Sequence, residues 1–295
     1  MWVYFIAFLA PLFYATSVVI ESFLSLSVFK RPIVMLFFVS LTNALFTPLI
    51  LTFGTPSIPE IYSIYIYFII ACIDIAYLYP YYVSFKKTDT SVISSLFSLG
   101  KIFVPCLSFI LLRDVLSVSQ YIGFAIIIFT SLLLNWQSNV KFRINKAFYL
   151  MFLSSFLLAC RICLAKYAIE TDHNVVNVLL YPNLISGLIP FSFLLFGNNM
   201  KEIKQKFRVY KKQFRFFVVI EFVTFLAVTT STIALEYLSP TISTAIEATE
   251  PLFVLGIISL IRPYSSFSFK EQENSFKKII CFLFIIIGVV LTCLE

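Results

Sequence analysis

The 295-residue sequence contains little charge, little glycine and a single histidine. Charged residues make up 13% of the chain, and glycine occurs seven times. One histidine cannot supply a paired-histidine metal site or an HExxH motif, and there is no glycine-rich loop of the kind that binds phosphate. No polar segment is long enough to form a soluble catalytic domain. These absences argue against an enzyme, and we expect neither a cofactor nor a metal.

Apolar sequence, by contrast, is abundant. Hydrophobic residues account for 60% of the chain, and its mean hydropathy is +0.95. Soluble domains of this length do not reach such values, so the composition predicts an all-α integral membrane protein. The net charge of +7 comes from basic residues that lie between apolar runs, where such residues orient helices in a bilayer. The charge therefore gives no indication of nucleic-acid binding.

The six cysteines all lie inside apolar runs. In such surroundings a cysteine usually packs as a small hydrophobic residue. Cys160 and Cys163 have the spacing of a CxxC motif, but no second pair accompanies them. We therefore predict neither a metal site nor a redox role for them.

Ten apolar runs have roughly the 20-residue length that a helix needs to cross a bilayer. A polar break, Gln137–Lys146, separates the fifth run from the sixth. We predict ten transmembrane helices: a first five-helix repeat over residues 1–137, a linker over 138–147 and a second five-helix repeat over 148–295. Because most connections are short, we expect consecutive helices to pack as antiparallel neighbours. The runs are Val3–Phe23, Ile33–Phe53, Ile64–Phe85, Ser91–Leu112, Gln120–Trp136, Phe148–Ala168, Val175–Phe196, Phe216–Leu235, Ile242–Ile261 and Ile279–Leu294.

The two halves of the chain resemble each other. At an offset of 150 residues, Ser84–Ser91 aligns with Ala234–Thr241, and each segment ends one run, turns and begins the next. Five is an odd number of crossings, so the second copy has to be inverted relative to the first. Inverted repeats are typical of secondary transporters, whose substrate site lies near the bilayer midplane between the copies.

The ninth run carries the most informative side chains, because Glu247, Glu250 and Pro251 lie near its middle. Carboxylates at mid-membrane are expensive and generally face a protein interior or a watery cavity. Residues three apart share a helix face, so the two glutamates should point the same way. Pro251 has no N–H to donate and should kink the helix.

Asp74, Lys101 and Arg161 also fall in the middle third of their runs, and Glu221 lies about two turns from the end of its run. Together with the two glutamates they form our predicted substrate-binding set. Lys101 and Glu250 occupy nearly equivalent places in the two halves, so we expect them to be able to meet. An unpaired Arg161 would bind an anion best, since its guanidinium contacts a carboxylate or phosphate through two hydrogen bonds. Glu21 and Lys166 lie nearer the run ends, where we expect them to reach the interface. The predicted set is Asp74, Lys101, Arg161, Glu221, Glu247 and Glu250.

Short motifs along the chain resemble the EamA-type members of the drug/metabolite transporter superfamily. The resemblance implies a ten-helix transporter built as two five-helix halves. Two departures are clear: Lys101 stands where the first half usually has a proline, and Arg113-Asp114 replaces the usual Gly-Glu. The motifs are Thr88–Ser91, Leu111–Asp114, Gln120–Gly123, Leu238–Thr241, Glu247–Pro251 and Gly288.

Charges of both signs in one cavity would suit a zwitterion, such as an amino acid, moved by alternating access. Arg161 or Lys101 would bind its carboxylate, and an acidic residue its amine. Protons or a counter-substrate would drive the movement. Two alternatives stay open: a flippase for a lipid-linked or amphipathic substrate, and a non-transporting membrane scaffold.

Four tyrosines form a cluster in the third run: Tyr77, Tyr79, Tyr81 and Tyr82. They are interpreted as an interfacial aromatic belt, with cation–π contact to a bound amine as the alternative. His173 is predicted to lie in a loop.

Basic residues crowd one side of the predicted helices, and the other side has only Arg113. By the positive-inside rule the crowded side is cytoplasmic, which places both termini outside, whereas the resemblance implies termini inside. We expect a multi-pass protein of the cell (inner) membrane whose partners are the lipid bilayer and a small-molecule substrate. A homodimer is left open.

Overall fold

In a computed structural model, the described residues are 2–27, 31–85, 101–135, 146–192, 199–261 and 275–293, and every regular element among them is helical. Most of the predicted linker, the start of the predicted fourth helix and the Thr88–Ser91 motif lie outside these residues. The helices are α1 (Trp2–Ser27), α2 (Pro32–Asn43) with a following 3-10 helix (Thr47–Thr52), α3 (Ile61–Phe85), α4 (Phe103–Leu112), α5 (Val118–Asn135), α6 (Lys146–Asp172), α7 (Val175–Ser192), α8 (Asn199–Tyr237), α9 (Pro240–Glu247), α10 (Glu250–Ile261) and α11 (Ser275–Cys293).

Seven spans among the described residues are long and apolar enough to cross a membrane. They confirm that the chain is a membrane protein, all-helical over the residues that the structure describes. Three further helices are apolar but shorter, so the count of ten crossings stays a prediction. The long spans are Trp2–Leu24, Pro32–Thr52, Ile61–Phe85, Phe148–Asp172, Val175–Ser192, Asn199–Tyr237 and Pro240–Ile261, and the shorter helices are Phe103–Leu112, Val118–Thr130 and Leu283–Thr292.

The longest helix, α8, continues well beyond its apolar part. Its 39 residues extend for about 58 Å at 1.5 Å per residue, whereas the hydrocarbon core of a bilayer is about 30 Å thick. The basic first part of the helix therefore adds to the length that one crossing needs. Two contacts with the α2 region hold this part: Arg31 forms an ion pair with Glu202, and Thr42 hydrogen-bonds the hydroxyl of Tyr210 at 2.9 Å.

The ninth predicted helix is interrupted, as Pro251 led us to expect. A turn at Ala248 and Thr249 separates α9 from α10. Pro251 has no N–H, so the carbonyl of Glu247, four residues earlier, cannot receive the usual helical hydrogen bond. At its other end α9 begins with Pro240, and the Ser239 side chain accepts a hydrogen bond from the backbone N–H of Ile242.

Some consecutive helices pack against each other as expected, for example α2 with α3 and α6 with α7, but the most extensive interfaces join helices of different halves. These are α5 with α11, α1 with α8 and α3 with α6. Antiparallel packing of α1 and α8 follows from three contacts along their length: Trp2 with Tyr237, Ser17 with Thr224 and Phe23 with Phe216.

The interface of α5 with α11 depends on two glycines. A β-carbon on Gly123 would lie 2.6 Å from the carbonyl oxygen of Gly288, and one on Gly288 would lie 2.9 Å from the carbonyl oxygen of Gly123. The two backbones are therefore in direct contact, which is the close approach that small residues permit between membrane helices.

Candidate functional site

One cavity lies among α1, α2, α3, α6, α7, α8 and the α9–α10 break. The cavity has a volume of about 150 Å³. By the same measure, a single water molecule needs about 10–15 Å³. The space is therefore adequate for a small metabolite. All six residues of the predicted set line it: Asp74, Lys101, Arg161, Glu221, Glu247 and Glu250.

Arg161 on α6 is paired with Asp74 on α3. Its Nε donates a hydrogen bond of 2.8 Å to Oδ1 of Asp74, and both side chains are mostly buried. The condition under which Arg161 would bind an anion best, that it be unpaired, is therefore not met. The pairing uses Nε, whereas the guanidinium carries five N–H donors in total. A substrate carboxylate that reached this wall could bind the remaining donors.

Lys101 makes the second ion pair of the cavity. Its Nζ lies 3.8 Å from Oε2 of Glu247, and Oε1 of the same glutamate accepts a hydrogen bond from Ser231. We expected Lys101 to meet Glu250, and the ion pair described here is with Glu247 instead. Glu247 is the last residue of α9, where the helix dipole disfavours a negative charge, and the lysine compensates for it.

Glu250 lies in the first turn of α10, where the dipole of that helix stabilises a negative charge. Both it and Glu247 line the cavity. The prediction that these two carboxylates face the same way is therefore confirmed, although the helix is interrupted between them.

Glu21 is a cavity residue that the sequence analysis placed elsewhere. It is 7% exposed, and its two carboxylate oxygens accept hydrogen bonds of 2.9 Å from the hydroxyls of Tyr81 and Tyr82. Its assignment to the interface is wrong because α1 continues to Ser27, four residues beyond the apolar run that ended at Phe23. A helix longer than its apolar run moves Glu21 away from the end.

The aromatic-belt interpretation is likewise wrong for most of the tyrosine cluster. Tyr77, Tyr81 and Tyr82 line the cavity, and only Tyr79 is largely exposed. Three of the four therefore present aromatic or hydroxyl groups to whatever the cavity holds.

Lys166, in contrast, remains near the end of α6. Its Nζ donates to the carbonyl of Leu235 at 2.8 Å and lies 3.5 Å from Oε1 of Glu170.

A second polar cluster, which we call the Asp172 clasp, joins the two halves at one end of the bundle. It consists of Ser57, Ser63, Tyr67, Asp172 and Asn177. Asp172 accepts hydrogen bonds from Ser63, Tyr67 and Asn177, and the side-chain amide of Asn177 also bonds Ser57.

The clasp lies at the start of α3 and the end of α6. This is the end of the bundle opposite the basic first part of α8. The α3 residues that line the cavity, Asp74 to Tyr82, lie in the part of the helix farther from it. His173 follows the clasp in an exposed loop, as predicted, with a left-handed φ of 49°.

Cys163 packs against the start of α4, and its thiol lies 3.9 Å from the carbonyl oxygen of Val104. In the part of the chain that the structure describes, no group of three or more histidine, cysteine or acidic side chains is arranged to hold a metal ion.

Comparison with known proteins gives a family and a fold. The model of the EamA-like transporter family matches residues 1–136 and 145–294. No curated protein matches the sequence. One solved structure, described only as the crystal structure of a protein, is similar with a TM-score of 0.69 and 11% sequence identity, over 98% of this chain and 95% of that chain. At this identity the likeness shows the fold alone.

Proposed function

The chain belongs to the EamA-like transporter family, and from this premise we propose that it moves a small zwitterionic metabolite across the cell membrane by alternating access. The family consists of membrane transporters of small substrates rather than enzymes. The residues that make up each half, 1–137 and 148–295, would then be the two inverted repeats that move against each other.

The observation that carries the proposal is a cavity among the apolar helices whose wall contains charges of both signs. Two cations, Lys101 and Arg161, lie in the same wall as five carboxyl groups. Intramembrane charges of this kind generally mark a substrate or ion pathway. A zwitterion complements them, because its carboxylate can bind the donors of Arg161 while its ammonium group binds an acidic side chain.

Alternating access is supported by contacts that join the two halves. The Asp172 clasp bonds residues around Ser57–Tyr67 to Asp172 and Asn177. The ion pairs of Lys101 with Glu247 and of Arg161 with Asp74 also cross between the halves. Movement of one half against the other would break and remake these contacts, as expected in inverted-repeat transporters. Protons or a counter-substrate would supply the driving force.

Exchange in sealed vesicles tests the proposal. Vesicles that contain the purified protein are incubated with a mixed pool of labelled cationic, anionic and zwitterionic metabolites, and uptake is compared with protein-free vesicles. We expect a zwitterionic compound to accumulate. Movement of a fluorescent or lipid-linked substrate between leaflets, without uptake of any soluble compound, would replace the proposal with a flippase. Movement of neither class would favour a non-transporting scaffold.

A further inference from the structure

Two acidic side chains at the α1–α8 interface, Glu21 and Glu221, take no part in the two ion pairs of the cavity. We propose that Glu21 and Glu221 together bind one protonated amine, the ammonium group of the transported substrate. This inference deepens the proposed function and rests on it only for the identity of the molecule that carries the amine.

The two carboxyl groups come from antiparallel helices and lie at the same level of the bundle. Ser17 on α1 hydrogen-bonds Thr224 on α8 at 2.7 Å. Glu21 is one turn after Ser17 along α1, and Glu221 is one turn before Thr224 along α8. Because the helices run in opposite directions, both steps lead the same way along the interface. Both side chains line the cavity.

Two tyrosine hydroxyls contact the carboxylate of Glu21. Tyr81 donates a hydrogen bond to one carboxylate oxygen and Tyr82 donates to the other. Hydrogen bonds donated to a carboxylate stabilise its negative charge. These two hydrogen bonds offset part of the cost of burying a charge, and each oxygen of Glu21 retains a lone pair for a further donor.

Glu221 differs from Glu21 in its hydrogen bonding. It is 2% exposed, and within the described ranges its Oε1 has no hydrogen-bond donor. Neither glutamate has a lysine or arginine at ion-pair distance among those residues. The two cations of the wall are instead within ion-pair distance of Glu247 and Asp74. A buried carboxyl group that faces a cavity without a donor or a cation is incomplete until a ligand supplies one.

An ammonium group supplies what is absent from this arrangement. It brings one positive charge and up to three N–H donors, which suit the free Oε1 of Glu221 and the remaining lone pairs of Glu21. The rings of Tyr77, Tyr81 and Tyr82 belong to the same wall, and tyrosine rings attract organic cations through their π faces. A hard metal cation such as sodium would use the oxygens but gain little from the aromatic rings.

The site is tested on the purified full-length protein in detergent, with methylammonium chloride as the probe. A ligand that binds only the folded state raises the melting temperature as its concentration rises. Sodium chloride and tetramethylammonium chloride at equal ionic strength are the controls, since the first has no aromatic preference and the second has no N–H donor. The variants are Glu221→Gln and Glu21→Gln, and the matched control is Glu236→Gln, an exposed glutamate at the end of α8.

We expect methylammonium to stabilise the wild type and Glu236→Gln more than either control salt does. Each of the two cavity variants should bind methylammonium about tenfold more weakly or worse, because a charge-assisted hydrogen bond is lost. Equal stabilisation by all three salts would overturn the proposal, as would stabilisation by sodium alone or an unchanged methylammonium response in both cavity variants. If Glu221→Gln does not fold, Glu21→Gln and the salt comparison on the wild type still decide.

Failure of this inference can be told apart from failure of the proposed function. Vesicles that move a zwitterion, together with a protein that does not respond to methylammonium, would remove the amine site and leave the transporter. A response that requires Glu21 and Glu221, together with vesicles that move nothing, would keep the amine site and remove transport.

Discussion

Lys101, from the first half of the chain, places its ammonium group 3.8 Å from a carboxylate oxygen of Glu247, from the second half. Both residues are about 95% buried, with exposures of 4% and 5%. The pair therefore links the halves inside the cavity, at the point where α9 ends and the chain turns into α10. Any rearrangement of the halves that opened this point would have to separate the two charges.

Removing one member of this pair should destabilise the protein more than removing both. Lys101→Met leaves Glu247 buried without its cation, a change that typically costs about 3–5 kcal/mol. The double variant Lys101→Met/Glu247→Gln leaves no uncompensated charge at the pair, so its melting temperature in detergent should lie above that of Lys101→Met. A double variant whose loss equals the sum of the two single losses would show that the pair does not act as a unit.

The contact between α5 and α11 should tolerate no added atom. Gly123→Ala would place a β-carbon 2.5 Å from the hydroxyl oxygen of Thr292, so we expect a lower melting temperature and less folded protein in the membrane. Gly256→Ala is the matched control, because a β-carbon there meets nothing within 4 Å. In a helix interior that change should be neutral or stabilising by up to about 1 kcal/mol. Equal behaviour of the two variants would contradict the close approach.

The Asp172 clasp should hold one end of the cavity shut. Asp172→Asn keeps the shape of the side chain but removes the charge that accepts hydrogen bonds from Tyr67 and Asn177. Hydrogen bonds to charged groups contribute about 1.5–3 kcal/mol each, enough to shift a two-state equilibrium by about tenfold or more. We expect faster labelling of a cysteine placed at Ser186, in the cavity wall, by an impermeant maleimide added on the clasp side.

The labelling is measured in a chain whose own cysteines have been replaced. Tyr62→Phe is the control, since Tyr62 lies at the same end and contacts the hydroxyl of Tyr167 rather than Asp172. Unchanged labelling in Asp172→Asn, or an equal increase in Tyr62→Phe, would show that the clasp does not control access.

The sequence predicted the helices and the composition of the cavity better than the contacts inside it. Apolar runs identify membrane spans because the bilayer sets their length, and mid-span charges identify the cavity because lipid excludes them. The partner of each charged side chain cannot be predicted in the same way, because differences of a few ångströms in side-chain position decide which groups pair. The pairing of Arg161 with Asp74 was not predicted, and Lys101, which we expected to be able to meet Glu250, pairs with Glu247.

Two further differences between the sequence-based predictions and the structure, at Glu21 and at the tyrosine cluster, have a local cause. Glu21 looked interfacial because the predicted apolar run ended at Phe23, two residues after it, while the helix continued to Ser27. Tyr81 and Tyr82 resembled an aromatic belt because tyrosines near a helix end commonly are one. Their hydroxyls instead reach Glu21, a contact between α3 and α1 that the spacing along one helix does not reveal.

The central claim about this protein is that its substrate binds in the charged cavity. The most direct test is the initial rate of uptake of the zwitterion identified in vesicles, measured for the wild type, Arg161→Ala and Glu250→Gln. Arg208→Ala and Glu236→Gln, which remove exposed charges from α8, are the controls. We predict that both cavity variants lose uptake and that both controls keep it. Full wild-type rates in Arg161→Ala and Glu250→Gln would contradict the account and make the cavity charges structural.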